Sequence, residues 1–336
     1  MELEVDGIEQ AVSTGALPGW ERVDHLVGSA YERYRSRTAG AVADYIPALA
    51  RVDPDLFGVA VADVGGRVHT IGAAGHDFSI QSISKAFVYA LVCDALGHTV
   101  VADRVGVDNT GFGFNSVIAI ELNNGHPMNP MVNAGALATT ALVPGETPAA
   151  QWEYIRTGVS RFAGRFLELD GDVYQSEMLT NQRNKAIARL LESYGRITID
   201  PLDVVDVYTR QCSLLVNARD LAIMGATLAD GGVNPISGQQ VVSPHVCQDT
   251  LSVLAAAGMY QRSGEWLYEI GLPAKSGVAG GIVAVAPGKG AIGTFSPRLD
   301  EAGNSVRGQR ATAYLSRTLG LNVFASAATT RHLPQP

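Results

Sequence analysis

The stretch GGIVAVAPGKGAIGTFSP (280–297) carries most of the information about the fold. Two short apolar runs flank PGKG, a turn sequence, and this arrangement predicts a β-hairpin. A second hairpin is predicted near the other end of the chain, in LFGVAVADVGGRVHTIG (56–72), where Gly65-Gly66 separates two apolar runs. Strands near both ends can share one sheet only if the chain returns to its beginning.

Helical patterns dominate between the two hairpins. NARDLAIMGATLADGG (217–232) has Asn217 as a helix cap and glycines at its end, SPHVCQDTLSVLAAAG (243–258) begins with Ser-Pro, and NKAIARLLESYG (184–195) repeats apolar residues on one face. We therefore predict an α+β fold, with an antiparallel sheet made of N- and C-terminal strands, flanked by helices, and an all-helical insertion. The predicted division is 1–78 with 259–336 for the sheet subdomain and 79–258 for the helical one, together forming one catalytic domain.

Composition and charge narrow the class of protein. The 336 residues include 46% hydrophobic and 17% charged residues, and the net charge is −8 without a Lys/Arg cluster, which argues against nucleic acid and anionic membranes as partners. No apolar run reaches the ~18 residues of a membrane span, and Met1–Gln10 lacks the layout of a secretory signal. Three widely spaced cysteines suggest a reducing cytoplasm. The seven histidines form no close pair in sequence, so we expect no metal site.

Ser82 and Lys85 in FSIQSISKAFVYAL (78–91) are the first candidates for chemistry. At i and i+3 they share one face of a helix that we predict to begin near Ser79. A lysine with a lowered pKa can accept the serine proton, and a serine in the first turn can offer its own N–H to an oxyanion. The alternative is a capping serine beside a solvated lysine, because S-x-x-K alone is a weak motif.

Lys275-Ser276-Gly277 strengthens the catalytic interpretation. In penicillin-binding proteins and class A β-lactamases, S-x-x-K on a helix acts with K-T-G on a neighbouring strand. The chain has only four lysines, and two of them fall in these two motifs. The motifs also follow one another in the same order as in those enzymes. A glycine-rich hairpin with an exposed lysine is the competing explanation.

Beyond these motifs, the sequence resembles the serine-dependent, β-lactamase-like glutaminases of the bacterial type. The matching segments follow the family's order: ADYIPALA (43–50), QSISK (81–85), HPMNPMVNAGA (126–136), QSEMLTNQRNKAIA (175–188), VVDVYTRQCS (204–213), LADGGVNPISG (228–238), GMYQRSG (258–264), GLPAKSGVAGGI (271–282) and SPRLDEAGNSV (296–306). The resemblance implies a β-lactamase/penicillin-binding-protein-like fold. It also implies hydrolysis of L-glutamine to L-glutamate and ammonia through a γ-glutamyl-serine intermediate, with no metal or organic cofactor. It suggests a homodimer or homotetramer.

The resemblance also assigns roles to individual residues. Ser82 would be the nucleophile, Lys85 its proton acceptor, Tyr260 a proton relay to the serine and the leaving amine, and Tyr45 a residue over the reacting amide. The N–H groups of Ser82 and Val278 would form the oxyanion hole. The amino-acid end of the substrate would be held by Asn133, Glu177, Asn184 and Tyr208. Taken singly, each of these has an ordinary structural explanation, such as a packing tyrosine or a turn asparagine.

Free glutamine suits this set chemically. Its ammonium calls for a carboxylate such as Glu177, and its carboxylate for amide and hydroxyl donors. Two departures from the family pattern are Gln261, where aspartate is usual, and Asp108–Gly111 within VGVDNTGFGFNS (105–116), which leaves one wall of the site in question.

Two other functions stay open. One is a different serine acyl hydrolase, acting on a β-lactam, a D-Ala peptide or an ester; the missing S-D-N triplet and Glu177 disfavour it. The other is a silent amino-acid-binding module, which would not need Ser82, Lys85 and Tyr260 together.

Overall fold

The computed structural model describes residues 4, 7–9, 11 and 15–326. Its strands are β1 (Gly58–Asp63), β2 (Val68–Gly72), β3 (Phe78–Ser79), β4 (Leu215–Val216), β5 (Ala274–Ser276), β6 (Gly281–Ala286) and β7 (Gly290–Phe295). Five of these form one antiparallel sheet in the order β2-β1-β7-β6-β5, and β3 pairs with β4. The α+β fold with a sheet built from both ends of the chain is confirmed.

Both predicted hairpins are present, and one has a longer turn than predicted. β6 and β7 are joined by residues 287–289, as the PGKG turn indicates. β1 and β2 are joined by residues 64–67, because the chain needs more than Gly65-Gly66 to turn. Gly66 has φ +87°, a conformation that a glycine adopts without strain, and its N–H donates to Asp63 O over 3.2 Å.

The helices fill the space between the hairpins and flank the sheet. They are α1 (Trp20–Tyr34), α2 (Ser84–Leu96), α3 (His98–Arg104), α4 (Ile118–Leu122), α5 (Asn133–Ala141), α6 (Pro148–Ala163), α7 (Gly171–Thr180), α8 (Gln182–Ser193), α9 (Pro201–Cys212), α10 (Ala218–Ala229), α11 (Pro244–Ala257), α12 (Ser263–Glu269) and α13 (Val306–Thr318). Single 3-10 turns lie at Leu49–Arg51, Gln81–Ile83 and Tyr260–Arg262.

Each face of the sheet is covered by a different set of helices. Alternate residues of a strand point to opposite faces, so Val59 and Val61 of β1 pack with α1 and α13, while Ala60 and Ala62 belong to the core that includes α10. Burial on both sides explains why the strands read as unbroken apolar runs. At Gly293, a Cβ atom would lie 2.1 Å from Ala218 O, so only glycine lets α10 approach β7 this closely.

The helical part between β3 and β5 supplies most of the remaining core. Asn217 and Asp220 form a capping box that starts α10, as the sequence indicates. The predicted subdomain boundaries at 78/79 and 258/259 remain a prediction, and parts of both termini fall outside the described residues. Within the described residues no single helix is long and apolar enough to cross a membrane; Gln81–Leu96 with His98–Arg104 would suffice in length and composition but is bent by 119°.

Candidate active site

Ser82 lies on a strained turn rather than in the first turn of a long helix. The predicted helix from Ser79 is replaced by the 3-10 turn Gln81–Ile83, and α2 starts at Ser84. Gln81 has φ +53°, which is sterically costly for a residue with a side chain and is often found at active sites. The Ser84 hydroxyl donates to Gln81 O over 2.7 Å and holds this turn.

Lys85 lies in the first turn of α2 and is only 2% exposed. Its Nζ donates to Asn133 Oδ1 over 2.7 Å and to Met131 O over 3.3 Å. Burial lowers the pKa of this amine to about 8, and the nearby Cys212 and Glu177 oppose that shift. The amine is therefore able to lose its proton near neutral pH, as a proton acceptor requires.

Tyr260 opens another strained turn, with φ +56°. Its hydroxyl donates to Ser276 O over 3.2 Å, and its ring packs 4.9 Å from that of Phe114. Burial raises the pKa of the phenol far above its ordinary value, although an interaction with Ser82 partly lowers it. The phenol next to Ser82 thus stays protonated at neutral pH.

Lys275 is buried beside Tyr260 and not exposed on a hairpin. Its Nζ donates to Ser276 O over 2.8 Å and lies 4.3 Å from the centre of the Tyr260 ring. Burial, followed by the charge of Lys85, keeps the pKa of Lys275 well below its ordinary value. Two buried amines therefore stand near one serine, and repulsion disfavours charging both.

Gly277 allows the Lys-Ser-Gly segment to lie directly against the serine turn. A Cβ atom at this position would lie 2.9 Å from Ile80 O and 3.3 Å from Gln81 Cβ. The close approach brings Val278 to the same cavity as Ser82. This is the arrangement that a shared oxyanion hole needs.

Glu177, on α7, faces this turn from the other side. Gln81 Nε2 donates to Glu177 Oε1 over 2.6 Å. Burial raises the pKa of the carboxyl to about 7, with Gln81 and Lys85 acting in the opposite direction. Asn133 Nδ2 donates to Asn184 Oδ1 over 2.9 Å, so a chain of contacts runs from Lys85 to α8.

One cavity of about 1110 Å³ brings most of the predicted site residues together. Its lining includes Tyr45, Ser82, Asn133, Glu177, Asn184, Tyr208 and Val278. Lys85 and Tyr260 do not line it but contact its lining from behind. Tyr45 is 59% exposed and stands at the mouth, whereas Tyr208 is buried.

The two segments that differ from the family pattern lie in different positions relative to the cavity. Phe114 and Asn115 line the cavity, while Asp108–Gly111 does not. Gln261 is exposed, and its neighbour Arg262 lies 3.6 Å from Asp300 Oδ2 at the cavity rim. The hydrogen bonds described for Lys85 and Tyr260 involve neither Gln261 nor Asp108–Gly111.

The sequence does not single out Gln81 as a site residue, and it does not indicate how Lys275 is placed. Gln81 was not recognised because its positive φ and its contact with Glu177 are not visible in QSISK. The Lys-Ser-Gly triplet marks Lys275 as a candidate, but it does not indicate burial against the Tyr260 ring. The sequence signals for Lys275 are the small number of lysines in the chain and the small residues on either side of it.

Potential metal ligands occur elsewhere. In the part of the chain that the structure describes, one group of three side chains has potential metal-ligand atoms close together: His98, His245 and Asp249. None of these residues lines the cavity. The fold joins two histidines that are far apart in sequence, a proximity that their spacing along the chain does not indicate.

Comparison with known proteins agrees with this geometry. The family model described as Glutaminase matches residues 40–324. Glutaminase 2 of Yersinia pestis is 53% identical over 96% of this chain and 94% of its own length. A solved probable glutaminase, ybaS, is 45% identical over 92% of this chain and all of its own, with a TM-score of 0.91. Mglu in its glutamate form is 39% identical over 91% of this chain and 71% of its own, with a TM-score of 0.86. These neighbours also confirm the β-lactamase-like fold class. The chain belongs to the glutaminase family.

Proposed function

We propose that the protein hydrolyses L-glutamine to L-glutamate and ammonia through a γ-glutamyl ester on Ser82. Its relatives carry the name glutaminase, and the similar Mglu structure is described in a glutamate form. The observation that carries the proposal is the pairing, in one cavity, of a serine backed by a buried amine with a carboxylate, Glu177, whose pKa lies near neutrality.

Binding uses the polar lining of the cavity. The substrate ammonium lies against Glu177, because a charge-assisted hydrogen bond to a half-buried carboxylate is strong. Asn133, Asn184 and Tyr208 hold the α-carboxylate through amide and hydroxyl donors. The γ-amide then points to Ser82, with Tyr45 over it at the mouth.

Acylation transfers the serine proton and expels ammonia. Ser82 Oγ attacks the γ-carbonyl carbon as its proton passes to the neutral Lys85 amine, and the oxyanion accepts hydrogen bonds from the N–H groups of Ser82 and Val278. Tyr260 donates its proton to the amide nitrogen, the C–N bond breaks, and ammonia leaves. Because the Tyr260 pKa is raised, the phenolate recovers its proton at once from Lys85.

Deacylation repeats these transfers with water. A water molecule attacks the ester carbon while Lys85 accepts its proton, and the C–O bond to Ser82 breaks as the serine oxygen is reprotonated. L-glutamate leaves and the starting protonation states return. Neither half-reaction needs a metal or an organic cofactor.

Ser82→Ala tests the nucleophile directly. We expect ammonia release from L-glutamine to disappear while glutamine binding, measured by calorimetry, persists. In the unaltered protein, rapid acid quench and mass spectrometry should find a γ-glutamyl adduct on the peptide that contains Ser82. Retained turnover in the variant would exclude Ser82 as the nucleophile.

Substrate panels separate the competing functions. Ammonia release should be fastest with L-glutamine, slower with asparagine and D-glutamine, and a chromogenic cephalosporin should stay intact. Turnover of the cephalosporin alone would favour a general acyl hydrolase, and binding without any turnover would favour a silent amino-acid-binding module. A cytoplasmic location and a homodimer or homotetramer complete the proposal, and light scattering of the purified protein tests the latter.

A further inference from the structure

His98, His245 and Asp249 form a compact cluster on the surface away from the active-site cavity. His98 Nδ1 lies 3.2 Å from His245 Nε2. Asp249 Oδ2 lies 3.7 Å from His98 Nδ1 and 3.6 Å from His245 Nε2. Three potential ligand atoms thus form a nearly equilateral triangle, and we refer to these three residues as the histidine cluster.

The triangle has the dimensions of a metal site rather than of a hydrogen-bond network. Both distances to the aspartate exceed the usual 2.7–3.2 Å of a hydrogen bond. Tetrahedral Zn²⁺ with bonds of 2.0–2.1 Å separates its ligand atoms by about 3.3 Å, close to the three observed separations. Asp249 Oδ2 is buried and accepts no hydrogen bond from the described residues, so its lone pairs are available to an ion.

The fold holds the three side chains in place from two directions. His245 and Asp249 are at i and i+4 on α11, so they share one helical face. His98 is the first residue of α3, directly after Gly97, whose φ of +87° turns the chain away from α2. The end of α2 is tied to the start of α11 because Ser243 N donates to Asp94 Oδ1 over 2.9 Å.

We propose that the histidine cluster binds one late first-row divalent transition ion, with Zn²⁺ as the physiological candidate. Two imidazoles and one carboxylate are ligands that these ions accept, whereas Mg²⁺ and Ca²⁺ prefer sites made only of oxygen. Three protein ligands leave a fourth position for water, which the exposure of both histidines permits. The bound ion links the start of α3 to α11 and stabilises the folded state.

Titration of the chelator-treated full-length protein with Zn²⁺ tests the site. Calorimetry should show one Zn²⁺ per chain, thermal unfolding should shift to higher temperature with added Zn²⁺, and Co²⁺ should give the visible absorption of a tetrahedral site. Mg²⁺ should have none of these effects. Glutamine hydrolysis by the metal-free protein should be unchanged, since no member of the cluster lines the cavity.

Variants locate the ion. His245→Ala and Asp249→Asn should each weaken Zn²⁺ binding at least about tenfold, the loss that even a residue behind a metal ligand commonly causes. His25→Ala, a change of an exposed histidine on α1, is the matched control and should bind Zn²⁺ like the unaltered protein. Circular dichroism and glutamine turnover of each variant show that it is folded.

Two results would overturn the proposal. One is the absence of stoichiometric Zn²⁺ binding by the unaltered protein. The other is equal Zn²⁺ affinity in the unaltered protein and in folded His245→Ala, which would place any bound ion elsewhere and leave the 3.2 Å contact as a histidine–histidine hydrogen bond.

Discussion

The two lysines buried behind Ser82 illustrate how burial creates reactivity from an ordinary side chain. An exposed lysine is charged at neutral pH and cannot accept a proton. Lys85 and Lys275 are buried, so their charged forms lose hydration, and the charge of Lys85 further disfavours that of Lys275. The lowered pKa of Lys85 follows mainly from this desolvation.

The pKa of Lys85 predicts the pH dependence of catalysis. The neutral amine is needed, so kcat/KM should level off above about pH 8 and fall tenfold per pH unit between about 8 and 7; below about 7 it should fall more steeply, because Glu177 is also protonated there. In Lys85→Arg the side chain stays charged, and activity should be lost at every pH tested. A steady-state profile that stays flat between pH 6 and 9 would exclude Lys85 as the proton acceptor.

Glu177→Gln should mainly weaken substrate binding. The substrate ammonium would lose its charged partner, so KM for glutamine should rise roughly 10- to 100-fold with a smaller change in kcat. In the unaltered protein KM should also rise as the pH falls below about 7, because the protonated carboxyl is neutral. Steady-state kinetics at several pH values measure both effects.

Glu301→Gln is the matched control for this variant. Glu301 is an exposed carboxylate that lines the same cavity, so it should change KM much less. Equal effects of the two substitutions would mean that the cavity attracts the substrate by its overall charge and that Glu177 has no specific role.

The identities of these side chains could be predicted from the sequence, but their contacts could not. Ser82, Lys85 and Glu177 stand in recognisable motifs, because acyl chemistry on an amino acid requires such groups. The hydrogen bond from Gln81 to Glu177 joins positions in different elements, and no periodic pattern encodes it. The same holds for His98 and His245, which lie in α3 and α11 and meet only in the folded chain.

The serine turn and the turn after β5 act as one unit. Gln81 and Tyr260 both have positive φ on either side of Ser82, and their strain is sustained by the packing around them. Gly277 is the contact point, because there the backbone of one turn touches the other. Small displacements here would move the oxyanion donors away from the reacting carbon.

Gly277→Ala should therefore reduce kcat by about tenfold or more while changing KM little. The added methyl group would lie 2.9 Å from Ile80 O and must push the two turns apart. The matched control is Gly28→Ala in the middle of α1, where a Cβ atom meets nothing within 4 Å. This change should leave kcat intact and stabilise the protein by about 0.5–1 kcal/mol. Unchanged kcat in Gly277→Ala would contradict the close-contact argument.

Regular elements were more predictable than these turns. α10 and α11 carry start signals in Asn217 and in Ser243-Pro244, and the structure begins both helices there. QSISKAFVYAL has no breaking residue and predicts an uninterrupted helix, whereas the structure has a 3-10 turn at Gln81–Ile83. Tertiary contacts, and not local propensity, decide its conformation.

Arg307, in α13, forms hydrogen bonds to the backbone of the segment between α1 and β1. It is 1% exposed, lies in α13 and donates to Ser296 Oγ. Its guanidinium also donates to four backbone carbonyls, those of Arg35, Pro54, Asp55 and Leu56. One side chain therefore joins parts of the chain that are remote in sequence.

Arg307→Met should destabilise the protein by on the order of 3–5 kcal/mol, because several buried acceptors would lose their donor. Urea unfolding measures this change. Arg22→Met, at an exposed position of α1, should alter the free energy of unfolding by no more than about 0.5 kcal/mol. Equal stability of the two variants would show that water replaces the guanidinium at the carbonyls.

The general architecture followed from the two hairpins at the ends of the chain, since a sheet is the simplest way to bury both. The strand order, with β7 between β1 and β6, was not predictable from the pattern, because each strand is apolar on both faces and gives no sign of being central or at an edge.

The pairing of β1 with β7 has a consequence for synthesis. β1 ends at Asp63, whereas β7 begins at Gly290, so the first strand leaves the ribosome long before its partner exists. At 5–20 residues per second this interval lasts roughly 10–50 s. During that time one edge of an apolar strand lacks its neighbour while the helical insertion is already free to fold. Until then β1 can pair only with β2, and a prematurely terminated chain would have Ser82 but no completed active site.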